Sequence, residues 1–560
     1  MRILAWLSLL FLLFAFSPEQ PFFRSPVDGS VFLSGTFGEL RPEHFHTGID
    51  IKGQIGQAIY AIGDGFVSQI SVDGTGYGNC LLIEHENGFT SLYAHLNAFA
   101  PDIAAYAKSS QYAARSFNVV LEPESARFPI KKGDLIGKMG MSGHAYGPHL
   151  HFEIRKTGSE RCINPLMMDV LDIAVADRQK PILRQLKIYE LDAQQALINT
   201  QYRLIKKQDL GKDTIRTKNP FVGFGLEAFD LMDGQANRNG IYQLRLYKND
   251  TLVYDFEMNE VELAQRRYLN AHIDYADFKA SGTYFNRCFL LPGNHFDQSR
   301  AHNSTAGLIR LMPGESCRIR LTAQDVHKNE ASLKFFVKRA SGNIQTPQAI
   351  YPYYQLPFDQ ASIIDNGAAR LIWPTGSLYE TLQMAYFVTP ESSHQVYSLV
   401  HQIGDNQIPI HQYLDLSLRP NKNIPEELRQ KAFIAYCGPY KRLVNCGGSW
   451  KDGFLSTAIR SFGEYFISID DIAPRIQPID LSKSRFSFEI SDNVIPGEKS
   501  KGYQWEAHLD GHWMLMTYDG KKDRLELVFD AGLEKGEHTF RLSVWDAVGN
   551  ESVFEHTFLN

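Results

Sequence analysis

The chain has 560 residues, 44% of them hydrophobic and 21% charged. That length exceeds one hydrophobic core and predicts about three to four domains. The ordinary balance excludes a disordered or collagen-like chain, and a formal charge of −6 gives no electrostatic case for nucleic acid or an anionic membrane surface.

The first element is an apolar run, Ile3–Phe16, preceded by Arg2, broken only by Ser8 and followed by Ser17 and Pro18. It is short for a bilayer span and suits the core of a secretory signal, with Ala15 and Ser17 as the small residues at the cleavage site. Residues 1–17 are expected to be a signal peptide, the alternative being an uncleaved anchor. No later stretch resembles a transmembrane helix. The chain is therefore expected to be exported to the periplasm or cell envelope, with no stable membrane span after cleavage.

Residues 25–175 read as short strands broken by glycine turns, as in "AIYAIGDGFVSQISV" and "GNCLLIEHENG". One Ala-rich stretch, Asp102–Phe117, predicts a helical insertion. Aromatic residues at 12% also favour strands. The fold class expected is mostly β: an antiparallel β-sheet domain with a helical insertion, then immunoglobulin-like β-sandwiches.

Beyond residue 175 a pattern occurs twice. Asp177-x-x-x-Pro181 and Asp470-x-x-x-Pro474 each open a strand-rich stretch. Asp230 precedes Gly240-Ile241-Tyr242 as Asp492 precedes Gly502-Tyr503. "QDVHKNEAS" (Gln324–Ser332) matches "WDAVGNESV" (Trp545–Val553), sharing Asp325/Asp546 and Asn329/Asn550. Shared landmarks in one order predict a repeated fold, with insertions in the longer first copy. Residues 180–342 and 474–560 are expected to be immunoglobulin-like sandwiches whose Asp and Asn bind turn backbone. Residues 345–470 are expected to form a third β-rich domain with one helix, Ile424–Ala432, after a linker at Thr346–Pro357.

The six cysteines include no C-x-x-C. Cys80 with Cys162, Cys288 with Cys317 and Cys437 with Cys446 fall pairwise into the first three domains. This suits three bridges in an oxidising compartment or, equally, buried thiols.

The side chains that carry chemistry cluster in the first domain. They are His46-x-x-x-Asp50 in "HFHTGIDIKG", His95 in "LYAHL", and His149-x-His151 in "GPHLHFEIR". The glycine-rich "GTGYGN" offers backbone only. In an extended strand His149, His151 and Glu153 share one face, which makes Glu153 a candidate to orient a ligand. Zinc in hydrolases takes three protein ligands and leaves a position for water, and two histidines with one aspartate meet that count. Two further histidines remain for proton transfer or oxyanion stabilisation. On spacing alone His44 is an alternative ligand to His46, and His144 is expected to line the groove wall.

Gly35–Arg155 resembles the lysostaphin-like (LytM-type) peptidoglycan endopeptidases through "HFHTGIDI", "GDGFVSQI", "GYGNCLLIEH", "YAHL", "KKGDLIGKMG" and "GPHLHFEIR", in family order. The resemblance implies one zinc ion held by His46, Asp50 and His151, with His95 and His149 as the catalytic pair. It implies a secreted zinc metalloendopeptidase cutting peptide cross-links of peptidoglycan. The alternative is a non-catalytic cell-wall-binding or hydrolase-activating scaffold of the same fold. The later β-domains are left to contact glycan, another protein or one another. Because the candidate groups span only His46 to His151, a fragment of residues 18–175 is expected to fold alone.

Overall fold

The computed structural model describes residues 22–206, 214–342, 353–391, 395–438, 442–529 and 533–560. The expected signal peptide and the start of the expected linker lie outside them. The chain is mostly β, as its composition predicts.

The first sheet is built from β1 (Leu33–Gly35), β2 (Ile49–Lys52), β3 (Gly65–Val72), β4 (Cys80–His85), β5 (Phe89–Ala94), β6 (Val119–Leu121), β7 (His149–Lys156) and β8 (Arg161–Ile163). It runs antiparallel in the order β6–β3–β4–β5–β7–β8. β2 pairs with the first half of β7, on the edge that β8 takes further along. Alternation along β7 sets the chemistry. Leu150, Phe152 and Ile154 are each 0% exposed in the core, which leaves His149, His151 and Glu153 on the other face. The expected insertion is helix α1 (Pro101–Ala114), with Pro101 at its first turn and Ile103 and Ala107 buried.

The next strands are β9 (Ile182–Leu191), β10 (Phe221–Phe229), β11 (Gln243–Lys248), β12 (Glu260–Glu262), β13 (Ser316–Gln324) and β14 (Glu330–Arg339). β9 and β10 pair in one sheet, while β11, β13 and β14 pair in another. β12 leaves this unit and pairs with β8, extending the first sheet. One continuous core accordingly runs from Phe23 through Cys162, Met258 and Val261 to Val337. The first sheet thus shares its interior with the two sheets of residues 182–339.

Residues 353–470 form two further sheets around Trp373 and Leu416. The helix expected at Ile424–Ala432 is only a 3-10 segment, Glu426–Lys431. It buries no residue, so nothing in packing extends it into an α-helix.

Last come β15 (Arg475–Ser482), β16 (Arg485–Ser491), β17 (Gln504–Leu509), β18 (Glu537–Trp545) and β19 (Glu551–Leu559). β15 pairs with β16, and β17, β18 and β19 pair in a second sheet. This repeats the arrangement of β9 with β10 and of β11, β13 and β14. In both copies the closing turn holds itself the same way. Asp325 Oδ1 accepts from the Asn329 N–H at 2.9 Å, and Asp546 Oδ1 from the Asn550 N–H at 2.9 Å.

Among the described residues no two cysteines are joined by a disulfide bridge. Cys80 on β4 and Cys162 on β8 have β5 and β7 between them, roughly 14 Å of sheet, beyond the reach of a disulfide. Across its hairpin Cys437 faces Leu443, three positions short of Cys446.

Candidate metal centre

Strands β2 and β7 place His151 directly opposite Asp50, so both side chains leave the sheet on one face. His46 precedes β2, and Gly48 lets the chain pass close to β7: a Cβ there would lie 2.4 Å from the Phe152 carbonyl oxygen. Three polar atoms meet as a result. His46 Nε2 is 3.0 Å from His151 Nδ1 and 3.1 Å from Asp50 Oδ1, and His151 Nδ1 is 3.0 Å from Asp50 Oδ1. Ligands held at about 2.0–2.1 Å around a tetrahedral ion have edges of about 3.3 Å, so the donors fit such a cation with little movement.

His149 stands on the same face, its Nε2 3.7 Å from Asp50 Oδ1. His95 arrives from the far side of β7. Ala94 on β5 lies opposite His151, and His95 follows it with φ 60°. That left-handed conformation is uncommon outside glycine; it ends the strand and brings the ring to the centre. The His95 ring lies 4.8 Å from that of His149 and 5.9 Å from that of His151, centroid to centroid.

All four rings are fixed by the same device. The outer nitrogen of each donates to an oxygen that can only accept. His46 Nδ1 donates to the Thr36 carbonyl at 2.8 Å, His95 Nδ1 to the Ser142 carbonyl at 2.9 Å, and His149 Nδ1 to the Gly147 carbonyl at 2.8 Å. His151 Nε2 donates to Glu153 Oε1 at 2.9 Å. Each neutral ring must therefore carry its lone pair on the nitrogen that faces the centre.

Electrostatics separates the four. Burial works against charge on Asp50, but His46 and His151 hold its carboxyl well below the usual range. Burial, with His151 and His149 nearby, pushes His95 down to about 3. Burial also lowers His149, against the pull of Asp50. At His151 burial is outweighed by hydrogen bonds to Asp50 and Glu153, which raise it to about 9.

Residues 44–118 and 109–165 match the family model for peptidase family M23. Residues 44–165 form an M23 peptidase domain. A DD-carboxypeptidase/endopeptidase Mpg of Neisseria meningitidis serogroup B is 34% identical over 127 residues, 23% of each chain. A murein hydrolase activator NlpD of Escherichia coli is 34% identical over 143 residues, 26% of this chain and 30% of that one. The chain thus spans about a quarter of the length of the curated relatives it matches. Among solved structures, the catalytic domain of the prophage-encoded M23 protein EnpA from Enterococcus faecalis is 25% identical, with TM-score 0.18 over 24% of this chain and 88% of that one. Residues 353–470 match the model for a Zu5-like domain.

Within the M23 domain the five expected side chains come together. His44 does not join them: its Nδ1 turns to the Pro42 carbonyl. His144 lies outside the centre and packs on Tyr146, which is 80% exposed. Glu153 is fully buried and orients His151, with Thr47 Oγ1 donating to it at 2.6 Å, Tyr77 OH at 2.7 Å and Arg155 paired at 2.6 Å. Sequence reasoning missed Arg41, whose guanidinium holds the second oxygen of Asp50 at 2.7 Å. It also missed the Thr36 and Ser142 carbonyls, since backbone acceptors leave no mark on residue type. The glycine-rich loop does supply backbone: a Cβ on Gly78, at φ 66°, would lie 2.4 Å from the Ser142 carbonyl carbon. Glycine there lets the loop pack on the segment that anchors His95.

Proposed function

We propose that the M23 domain is a zinc metalloendopeptidase that hydrolyses peptide cross-links of peptidoglycan, one zinc per chain. His46, Asp50 and His151 are the ligands, and His95 and His149 handle the protons. The observation that carries this reading is the common anchoring of the four histidines, each tied through one ring nitrogen to an accepting oxygen, which leaves the other nitrogen on the side of Asp50. When bound, zinc polarises the scissile carbonyl and lowers the pKa of its water towards neutrality.

The chain's own residues supply the rest. Glu153 and Thr36 keep His151 and His46 in the ligating orientation. Arg41 draws off charge from Asp50 while leaving Oδ1 to the metal. His95 and His149 stand beside the ligands without being needed as ligands, placed to accept the proton of the nucleophile and return it to the leaving amine. A peptidoglycan substrate puts the protein in the envelope, to which the Ile3–Phe16 run directs it.

A second reading is a hydrolase-activating scaffold, favoured by the likeness to a protein named murein hydrolase activator. It gives no use to the two non-ligating histidines. Zinc content and peptide-bond cleavage by His149→Ala decide between the two. The enzyme reading expects zinc kept and cleavage lost, whereas the scaffold reading expects no chelator-sensitive cleavage even in the unsubstituted protein.

A further inference from the structure

The repeat that the sequence displays twice brings three aspartates together in each copy. Asp177, Asp230 and Asp325 each place a carboxylate oxygen within 4.8 Å of the other two, as do Asp470, Asp492 and Asp546. In the first copy the three are 8%, 1% and 1% exposed. Turn hydrogen bonds account for part of their oxygens. Asp325 is satisfied by Asn329, and Asp177 Oδ1 accepts from the Gln179 N–H at 3.0 Å. Two oxygens remain. Asp177 Oδ2 and Asp230 Oδ1 are buried and accept no hydrogen bond. His327 Nδ1 is 4.0 Å from Asp177 Oδ2, too far to donate to it.

Such an arrangement is costly as it stands. Burial, reinforced by Asp177 and Asp325, raises the Asp230 carboxyl to about 8. Buried carboxylates are found paired or on a metal. An all-oxygen donor set takes a hard cation, unlike the histidine-rich centre of the M23 domain. We propose that Asp177, Asp230 and Asp325 bind a divalent cation of the calcium class, with backbone carbonyls and water completing its shell. In the second copy Asn493 Nδ2 donates to Asp470 Oδ1 at 3.2 Å, a donor to the triad. That triad is the counterpart of the site, and the proposal concerns the first.

The position gives the ion a task. It ties the segment leaving the M23 domain to the ends of β10 and β13. Asp230 also pairs with Asn239 through backbone bonds of 3.0 and 2.9 Å. The adjoining Gly240 N–H donates to Thr36 Oγ1 at 3.1 Å, and the Thr36 carbonyl holds His46. Between Asp230 and Gly240, Gln235 and Asn237 accept from Lys52 Nζ at 2.7 and 2.6 Å. An ion here fixes the loop on which the M23 domain rests beside one of its ligands.

The competing explanation is a proton shared between Asp177 and Asp230. Equilibrium dialysis of the full chain against calcium, together with unfolding midpoints with and without calcium, separates the two. The cation site predicts one calcium equivalent fewer in Asp230→Asn than in the unsubstituted chain, and a smaller calcium-induced rise in Tm. His46→Ala should keep that difference, because its defect lies in the other centre. Asp177→Asn retains an oxygen for the Gln179 N–H and gives the same reading if Asp230→Asn does not fold. Equal calcium binding by variant and unsubstituted chains overturns the proposal. So does a metal-free Asp230→Asn more stable than the unsubstituted chain, with calcium affecting neither. No calcium bound by the unsubstituted chain at millimolar concentration overturns it outright.

Discussion

Glu153 Oε1 accepts the hydrogen bond of His151 Nε2 at 2.9 Å, and this contact decides that Nδ1 is the nitrogen facing Asp50 and His46. Removing such an orienting partner typically costs about 10–100-fold in metal affinity. Glu153→Gln keeps the volume and an accepting oxygen but loses the charge that pairs with Arg155. Zinc affinity, measured by chelator competition on folded protein, should fall within that range. Unchanged affinity would show that Glu153 supports the strand and not the ligand.

The five residues of the centre should divide into two classes. His46→Ala, Asp50→Ala and His151→Ala each remove one of three ligands and should abolish stoichiometric zinc. His95→Ala and His149→Ala should retain zinc and lose about 10²–10⁴-fold in turnover. Metal analysis beside a peptide-cleavage assay checks both. Zinc loss in His149→Ala with near-normal zinc in His151→Ala would mean the two roles are exchanged.

The first sheet is not closed within the span of the motifs. β12 pairs with β8, and Val261 and Met258, 2% and 0% exposed, lie in the core that contains Cys162. A fragment of residues 22–175 strips this cover and should populate an aggregating or partly unfolded state. A fragment of residues 22–342 should fold and bind zinc. Near-native circular dichroism and a cooperative melt for the shorter fragment would contradict the shared core.

The last sandwich reaches the M23 domain at the loop that anchors His95. Lys521 Nζ donates to the Met141 carbonyl at 3.0 Å and to the Gly143 carbonyl, flanking Ser142. The Gly520 N–H donates to the Gly74 carbonyl at 3.0 Å, and α1 meets the sandwich through Tyr112 against Trp513. Lys521→Met should loosen that loop without touching a ligand. Turnover should fall by up to about 10²-fold, the scale set by small misplacements of a catalytic group, at unchanged zinc content. Full turnover in this variant would make the contact mere packing.

Acid stability should report the buried Lys187–Asp274 pair, joined at 2.6 Å with both side chains 5% exposed. Burial alone would raise Asp274, but Arg287 and Lys187 hold it down at about 2. A carboxyl depressed on folding contributes stability above its unfolded pKa and loses it as pH falls through the folded value, here from about 4 to about 2. The contribution is about 2 kcal/mol. Asp274→Asn should flatten the fall in urea-unfolding free energy over that window, and an unchanged slope would dismiss the pair as the cause. Lys187→Ala leaves Asp274 with Arg287 at 3.9 Å and the Tyr189 hydroxyl at 2.8 Å, and should lower stability at neutral pH.

Legibility followed the kind of signal. The five residues of the centre were readable as residue types, their roles came from the family resemblance, and alternation along His149–Glu153 put His149 and His151 on one face. The repeat was readable because Asp and Asn recur at turns. Its consequence was not, since no local pattern shows that Asp177, Asp230 and Asp325 meet. The strand that extends the first sheet was not readable from the motif span, because β12 lies about a hundred positions beyond β8. Arg41, with no motif of its own, became visible only through its contact with Asp50. The cysteine pairs looked attractive by domain, but register and intervening strands decide disulfides, and these are properties of the sheet.

The central claim meets its most direct test in mass spectrometry of the fragments that the purified full-length protein releases from peptidoglycan. The digestion is run as prepared, after chelation, and after zinc is restored. The account predicts newly cut peptide cross-links with intact glycan strands, abolished by the chelator and recovered with zinc. Zinc-loaded, folded protein that releases no chelator-sensitive peptide fragment would contradict it and leave the activator reading in its place.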